Sequence, residues 1–291
     1  MNRSASECNR GVMDDDGLIA RVAAGDDGAL RELFSRHAPW LAVGAAATVG
    51  TCRAHHWGRA TCETCGMSVG APVDHAPIRA LLFDLGGVVI ELDFKRAFRV
   101  WADSSSRDPA DIAQRFAFDE AYRQHERGEI GASEYFSALR RSLDLHLSDD
   151  EIAQGWNDIY LAPVPGMSAL LAAAGRRLPL YAFTNSNPTH RNVWAERFAS
   201  DLLVFRSIFV SSDLGVRKPD PEAYVAVAGR AGLQVSDFLF FDDTLENVEG
   251  ARTAGMRSVL VETIVDVRDA LSRLGIEVEA SDEGDQPRAT M

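Results

Sequence analysis

Apolar runs that end in polar residues recur from residue 80 onwards, and they predict the strands of a parallel sheet. The run over residues 80–83 contains only apolar side chains, as expected of a strand buried on both faces, and Asp84 follows it directly. The glycines at positions 86 and 87 permit a sharp turn behind this carboxylate. Ligands of open α/β sheets bind beyond the carboxyl ends of the strands, so Asp84 is a candidate functional residue. The alternative is a solvated aspartate beside a Gly-Gly turn.

Three later stretches repeat this arrangement of an apolar run with polar residues at its end. LPLYAFTNSN carries Thr184 and Asn185, VRKPDP carries Lys218 ahead of a helix, and DFLFFDDTLEN carries Asp242, Asp243 and Asn247. The spacing predicts strands over residues 178–184, 207–211, 238–241 and 257–261, and helices over residues 167–176, 189–198, 221–231, 245–254 and 265–274. Strands that alternate with helices predict an α/β fold with a doubly wound parallel sheet.

A charged insertion over about residues 94–161 separates the first strand from the rest of this alternation. Its apolar residues recur at helical spacing, among them Phe98, Trp101, Tyr135 and Trp156. Ser148 precedes three acidic residues and is a predicted helix N-cap. The insertion is therefore predicted to be all-helical.

Taken together, the motifs at Asp84, Thr184, Lys218 and Asp242 resemble, in order and spacing, those of the haloacid dehalogenase-like hydrolase superfamily over about residues 78–275. The stretches FDLGGVVIELDF, QHERGEI and DLGVRKP are similar to a bacterial subgroup of sugar phosphatases that act on α-D-glucose 1-phosphate. The resemblance implies a Rossmann-like core with the insertion as a small helical cap that closes over the site. It also implies a Mg²⁺-dependent phosphatase that hydrolyses a small sugar phosphate through an aspartyl-phosphate.

The resemblance implies a role for each carboxylate at the strand ends. Asp84 is the implied nucleophile, and Asp84, the carbonyl of Gly86 and Asp243 are the implied Mg²⁺ ligands. Asp242 is implied to contact the ion directly or through another ligand, and Asn247 to orient the ligands. Mg²⁺ takes hard oxygen ligands, and two adjacent carboxylates at a strand end are unfavourable without a cation. The carboxylate pair is thus a second indication of a metal.

Three further residues are implied to contact the transferred phosphoryl group. Thr184 offers a hydroxyl, Asn185 an amide, and Lys218 a positive charge that also pairs with Asp84. Each residue alone fits ordinary turn or surface chemistry. Their occurrence together with Asp84 favours the catalytic interpretation.

The cap supplies further candidate residues, and the proton donor departs from the pattern of the superfamily. The cap residues predicted to face the substrate are His125, Glu126 and Arg127, and the alternative is a solvated helix end. Most phosphatases of the superfamily carry an acid–base aspartate two residues after the nucleophile, where this chain has Gly86. Either water, the cap or a nearby carboxylate such as Asp93 then protonates the leaving group, or the enzyme is slow.

The net charge and composition limit the classes of molecule that the protein is expected to bind. The net charge of −13 disfavours binding to a phosphate backbone, although a few placed cations suffice for a small phosphorylated metabolite. No apolar run approaches the roughly 20 residues of a membrane span, and charges interrupt the N-terminus where a signal peptide would be apolar. The sequence therefore predicts a cytoplasmic protein without membrane contact, and it does not indicate an oligomeric state.

The sequence divides into three parts. Residues 1–76 precede the hydrolase region, which is predicted to span residues 77–276. An acidic tail over residues 277–291 is predicted to be disordered. Residues 17–41 suit two short amphipathic helices and resemble the start of region 2 of extracytoplasmic-function sigma factors. The similarity ends near residue 41, so we interpret residues 1–76 as a truncated, partly disordered remnant. This segment contains Cys52, His55, His56, Cys62 and Cys65, which are residue types that bind zinc. The two interpretations are a metal site and an unstructured connector.

Two other functions compete with the phosphatase. A 2-haloacid dehalogenase uses the same nucleophile, has no second aspartate and needs no metal, but the Asp242–Asp243 pair argues against it. A transcription regulator would use the sigma-like segment and carry the hydrolase as a passenger. The absence of promoter-reading elements from the sequence argues against that function.

Overall fold

The computed structural model describes residues 77–277. The predicted sigma-like helices, the Cys/His motif and the acidic tail from residue 278 lie outside the described residues. Among the helices of the described part, none is long and apolar enough to cross a membrane.

Five parallel strands form the central sheet, in the order β5-β4-β1-β6-β7. Their bounds are Ala80–Phe83 (β1), Leu180–Thr184 (β4), Ser207–Val210 (β5), Phe238–Asp242 (β6) and Arg257–Leu260 (β7). β1 is central and fully buried, which explains its uninterrupted apolar sequence. The predicted α/β class and parallel sheet are confirmed.

Helices cover both faces of the sheet. Their bounds are Met167–Gly175 (α6), Pro188–Arg197 (α7), Ala199–Leu202 (α8), Ser211–Leu214 (α9), Pro221–Ala231 (α10), Leu245–Thr253 (α11) and Ile264–Arg273 (α12), with a 3₁₀ turn at Val235–Asp237. Leu81 and Phe83 pack in the hydrophobic cluster that contains α6 and α12, whereas Ala80 and Leu82 pack with α10. Successive side chains of a strand point to opposite faces, so each face needs its own helical layer.

The cap is built from five helices between β1 and the second core strand. They span Phe94–Ser105 (α1), Pro109–Arg115 (α2), Glu120–Glu126 (α3), Ala132–Leu143 (α4) and Asp149–Asn157 (α5). Ser148 caps α5 through a reciprocal capping box with Glu151, as its position predicts. Trp101 and Trp156 are fully buried and stack with ring centroids 6.0 Å apart.

The prediction of an all-helical insertion over residues 94–161 is wrong at its end. Helix α5 ends at Asn157, and Tyr160–Pro163 (β3) pairs antiparallel with Ile90–Leu92 (β2). This two-stranded ribbon is where the chain enters and leaves the cap. These strands have only three and four residues, so hydrophobic periodicity could not predict them from the sequence.

Register brings the candidate residues to one edge of the sheet. Phe83 of β1 lies opposite Ala182 of β4 and Phe241 of β6. Because the strands are parallel and aligned, the residues at their carboxyl ends emerge together beneath the cap.

Candidate active site

The centre of the site is a lysine shared by two aspartates. Nζ of Lys218 lies 2.9 Å from Oδ1 of Asp84 and 2.6 Å from Oδ2 of Asp242. All three residues are buried. The backbone N–H of Leu85 also donates to Oδ1 of Asp84, at 2.7 Å. These contacts join side chains from the ends of β1 and β6 and from the loop before α10.

The loop that carries Lys218 is held by Asn185. The Asn185 side chain donates through Nδ2 to the carbonyl of Lys218 and accepts through Oδ1 from its N–H, both at 2.9 Å. The Lys218 ammonium also lies 5.4 Å from the ring centroids of Phe183 and Phe240. Asn185 therefore positions the lysine, a contact that its predicted role towards the phosphoryl group did not anticipate.

Asp242 is saturated by protein donors. Its Oδ2 accepts from Lys218, and its Oδ1 accepts from the N–H of Thr244 at 2.9 Å and from Nδ2 of Asn247 at 3.0 Å. Of the two predicted possibilities, this geometry favours an Asp242 that holds other groups in place over one that ligates a cation directly. Asn247 contacts Asp242 and thereby orients the cluster.

Asp243 shows the opposite pattern. Its Oδ2 is buried and has no hydrogen-bond partner within residues 77–277. Carboxylate oxygens of Asp84, Asp242 and Asp243 lie within 4.8 Å of one another. Gly87, with φ of +78°, makes room for this carboxylate, because a Cβ there would lie 2.0 Å from Oδ2 of Asp243. An unsatisfied, buried oxygen beside two other carboxylates fits the hard-oxygen environment of a divalent cation.

Burial, together with the charges of the cluster, explains the pKa shifts. Burial raises the pKa of Asp84 to about 7, with Asp242 adding to the rise and Lys218 opposing it. Burial, then Asp242 and Asp84, raises the pKa of Asp243 well above its usual value. For Lys218, burial lowers the pKa, but Asp242 and Asp84 outweigh burial and raise it. A bound cation would relieve the repulsion among the carboxylates.

A pocket opens above this cluster, between the core and the cap. Of the predicted site residues, it is lined by Asp84, Gly86, Glu126, Thr184, Asn185, Lys218 and Asn247. Its remaining lining is largely aromatic and apolar and includes Tyr122, Tyr160, His190 and Trp194. The structure thus brings these seven predicted residues to the same cavity, whereas Asp242 and Asp243 are not among the residues that line it.

Two of the three predicted cap residues do not line the pocket. His125 is buried inside the cap, where its ring stacks on Tyr135 at 4.8 Å and its Nδ1 contacts the carbonyl of Ile130 at 3.2 Å. Arg127 instead pairs with Glu120 and Glu129, each at 2.6 Å, on the solvent side of the cap. Consecutive helical residues point in different directions, so only Glu126 of the three faces the cavity.

Asp93, the carboxylate predicted to assist protonation, is engaged elsewhere. It caps α1 by accepting from the N–H of Lys95 at 2.9 Å and pairs with Arg99 at 3.0 Å. Asp93 is not among the residues that line the pocket. The structure therefore does not bring it to the reacting group.

His190 is a pocket residue that sequence reasoning missed. Its Nε2 lies 3.0 Å from the carbonyl of Trp156, which can only accept, so this nitrogen carries the proton. Burial lowers the pKa of His190 to about 3, more than the bond to Trp156 raises it. The available signal was its place one turn after TNSN, in the first turn of α7.

Comparisons with known proteins agree with this geometry. A profile of haloacid dehalogenase-like hydrolases matches residues 78–255. A phosphatase of Mycobacterium tuberculosis is 31% identical over 208 residues, which cover 67% of this chain and 93% of that protein. The D-ribitol-5-phosphate phosphatase of Bacteroides thetaiotaomicron is 23% identical over 205 residues, 67% of this chain and 97% of its own length.

A solved structure extends the similarity to three dimensions. A crystal structure of an enzyme of the same family from Bacteroides thetaiotaomicron, in complex with magnesium and inorganic phosphate, superposes with a TM-score of 0.54 at 26% identity. The similarity covers 63% of this chain and 93% of that one. The matching profile, the sheet order and the strand-end cluster lead to one conclusion: this chain belongs to the haloacid dehalogenase-like hydrolase family.

Proposed function

We propose that this protein is a Mg²⁺-dependent phosphatase that hydrolyses a small phosphomonoester, with sugar phosphates as its substrate class. The observation that carries the proposal is the Asp84–Lys218–Asp242 cluster, with the unpaired Oδ2 of Asp243 beside it and a pocket above. Phosphoryl transfer needs a nucleophile and positive charge near the phosphoryl oxygens. Asp84 can supply the nucleophilic carboxylate, Lys218 supplies a buried positive charge, and the unpaired Oδ2 of Asp243 can bind a metal ion.

The proposed ligands of Mg²⁺ are Asp84, the carbonyl of Gly86 and Asp243, with Asp242 and Asn247 holding the cluster from behind. When bound, Mg²⁺ would neutralise the charge on phosphoryl oxygens and on the carboxylates. Asp84 attacks phosphorus, an O–P bond forms to the carboxylate, and the bond from phosphorus to the leaving oxygen breaks. Water then attacks the phosphorus of this aspartyl-phosphate, which releases inorganic phosphate and regenerates Asp84. Lys218, Thr184 and Asn185 line the cavity in which these charges develop.

Protonation of the leaving group favours one kind of substrate. Position 86 is glycine, and Asp93 is bound at the start of α1. Glu126 lies in the pocket, but its two oxygens accept hydrogen bonds from Tyr122 and Arg217. A site without a dedicated acid works best on leaving groups that depart readily as anions. An anomeric sugar phosphate has a more acidic leaving oxygen than a phosphate ester of a primary alcohol, so this chemistry favours the α-D-glucose 1-phosphate type of substrate.

The pocket also suits a hydroxylated leaving group. Asn185 and His190 offer polar atoms, and Tyr122, Tyr160 and Trp194 offer aromatic surface. Sugars are held by this combination of hydrogen bonds and apolar ring faces. The similarity to a D-ribitol-5-phosphate phosphatase supports a polyhydroxylated substrate class.

The test is a release assay for inorganic phosphate with the full-length protein, with and without Mg²⁺. The panel contains anomeric sugar phosphates, terminal sugar and polyol phosphates, nucleotides and a prenyl phosphate. We expect Mg²⁺-dependent turnover that is fastest on an anomeric sugar phosphate. Preference for the prenyl phosphate would overturn the substrate class, because the pocket's apolar residues would then dominate recognition.

A chloride-release assay with a 2-haloacid tests the competing hydrolase function. Activity there that persists in excess chelator would replace the phosphatase with a dehalogenase. The unpaired Oδ2 of Asp243 favours the metal-dependent reaction over that alternative.

A further inference from the structure

A buried ion pair joins the cap to the core beside the pocket. Nε of Arg217 donates to Oε2 of Glu126 at 2.9 Å, although the two residues are 91 positions apart in the chain. Their side chains are only 13% and 2% exposed. The hydroxyl of Tyr122 donates to the other oxygen of Glu126 at 2.7 Å. Glu126 ends cap helix α3, whereas Arg217 lies in the core loop between α9 and α10.

The core partner of this pair is rigidly placed. Arg217 directly precedes Lys218, whose N–H and carbonyl are both bound by the side chain of Asn185. The backbone that carries the guanidinium is therefore fixed with respect to the lysine that contacts Asp84. When the cap binds Arg217, it is therefore held in a fixed position relative to Asp84 and Lys218.

The cap and core also touch closely next to the pair. Gly128 has φ of +70°, and a Cβ there would lie 2.6 Å from the carbonyl oxygen of Ser212 in α9. The turn after α3 thus rests directly on the core segment that leads to Arg217. The ion pair lies at the point where the cap is in contact with the core, so separation of the two would break it.

We propose that Glu126 and Arg217 form a latch that holds the cap closed over Asp84 and opens reversibly, with Arg217 as a positioning residue. A buried ion pair has a net free energy close to that of its separated, hydrated partners, because desolvation offsets attraction. Such a pair is suited to form and break in each cycle. Removal of one partner leaves the other charge buried and unpaired in the closed state, which shifts the population towards the open cap. The kinetic consequence rests on the proposed phosphatase function, but closure itself does not.

Hydrogen–deuterium exchange of the full-length protein tests closure without any substrate. In Arg217→Met we expect amide exchange at residues 125–130 and 211–217 to be about tenfold faster than in the wild type, because local opening exposes these amides. Glu126→Gln should give the same pattern. Exchange at residues 238–242 in the central sheet should stay unchanged and thus report intact folding.

Arg191→Met is the matched control. It removes an arginine that also pairs with α9, through Asp213, but that pair is half exposed and does not involve the cap. This variant should leave exchange at residues 125–130 unchanged. If Arg217→Met also leaves exchange at residues 125–130 and 211–217 unchanged, the latch is overturned, whatever the enzyme's activity.

Kinetics separate a latch from a substrate contact. Arg217 is not among the residues that line the pocket, so a latch predicts that Arg217→Met and Glu126→Gln lower kcat/KM about tenfold, mainly by raising KM. The loss should be equal on a sugar phosphate and on an aryl phosphate without hydroxyl groups. A loss confined to Glu126→Gln and to the sugar phosphate would overturn the latch and leave Glu126 as a substrate contact.

The two proposals fail in different ways. A wild type that releases no phosphate from any substrate, but whose variants show the faster exchange, would overturn the phosphatase and retain the latch. A lower Tm in Arg217→Met with unchanged kcat and KM of the folded fraction would show a merely structural pair. Arg217→Lys keeps the positive charge and should recover part of the wild-type KM.

Discussion

Lys218 is the residue on which the charge balance of the site depends. It is 1% exposed and contacts carboxylates of both Asp84 and Asp242. Burial of an ammonium is unfavourable unless such partners are present, and the same holds for the carboxylates. The three charges therefore stabilise one another, and the loss of Lys218 would leave two buried carboxylates without a compensating cation.

The first prediction follows from this balance. Lys218→Met should lower the free energy of unfolding at pH 8 by about 3–5 kcal/mol, because two carboxylates remain buried without a cation. The loss should shrink at pH 5, because burial raises the pKa of Asp84 to about 7 and protonation there removes one of the two buried charges. Denaturant titration at the two pH values measures it, and the same substitution in an Asp84→Asn background should cost less. An equal loss at both pH values would contradict the electrostatic cause.

A second prediction concerns the nucleophile. Asp84→Asn keeps the size and polarity of the side chain but removes the attacking charge, so turnover should fall by at least about 10³-fold. Circular dichroism and the unfolding midpoint should report a folded protein, since Lys218 retains Asp242 as a partner. Turnover close to that of the wild type would exclude Asp84 as the nucleophile.

A third prediction links Mg²⁺ to protons. Burial and then Asp242 raise the pKa of Asp84 to about 7, so the folded protein holds a proton that the unfolded chain releases above about pH 4. Without Mg²⁺, Asp84 should therefore lower stability as the pH rises from about 4 to about 7. Because Mg²⁺ binds the ionised carboxylate, it should raise Tm more at pH 8 than at pH 6. Calorimetry in two buffers should detect proton release on Mg²⁺ binding at pH 6, and its absence would contradict this linkage.

At the scale of elements, the turn after β1 shapes the proposed metal site. Gly87 adopts φ of +78°, and the space that a Cβ would fill is occupied by the Asp243 carboxylate. β1 and β6 are neighbouring strands, so this turn and the Asp242–Asp243 pair face each other at adjacent strand ends. The backbone turn and the carboxylate are thus mutually dependent.

A fourth prediction uses a glycine pair to isolate this contact. Gly87→Ala should displace Asp243, weaken the Mg²⁺-induced rise in Tm and reduce turnover by about tenfold or more. Gly215→Ala is the control, because Gly215 has φ of +74° and a Cβ added there would meet no atom within 4 Å, so this substitution carries the backbone strain without the collision. Equal effects of the two substitutions on Mg²⁺ binding would attribute the loss to strain alone.

At the scale of the whole molecule, residues 77–277 contain the sheet, the cap and every element of the proposed site. Two hydrophobic clusters, one on each face of the sheet, lie within this range. A unit with its own core is able to fold without its neighbours in the chain.

The fifth prediction is that residues 1–76 are dispensable for catalysis. A protein that starts at residue 75 should be soluble and keep kcat/KM within about threefold of the full-length value. A loss of several orders of magnitude would show that the N-terminal segment is functional. Stoichiometric zinc in the full-length protein, with activity lost on its removal, would show that Cys52, Cys62 and Cys65 form a working metal site.

The sequence by itself determined the order of the core elements and the identity of the strand-end residues. Both depend on local chemistry: β1 is uniformly apolar because both its faces are buried, and α10 begins at a proline that predicts its start. Asp84, Thr184, Asn185 and Asp242 were predictable because each ends or follows a strand, and Lys218 because it lies just ahead of the helix that begins at Pro221. Strands β2 and β3 were not, because they are too short to carry a period of their own.

Only the tertiary structure decided which contacts each of these residues makes. Asp242 and Asp243 are adjacent and chemically identical, yet one is saturated by Lys218, Thr244 and Asn247 and the other keeps a buried, unpaired oxygen. The tertiary structure likewise decided that Glu126, rather than His125 or Arg127, faces the pocket. Glu126 lies on the side of α3 that faces Arg217, 91 positions away in the chain. Local periodicity carries no information on such distant contacts, because they arise from the packing of the cap on the core.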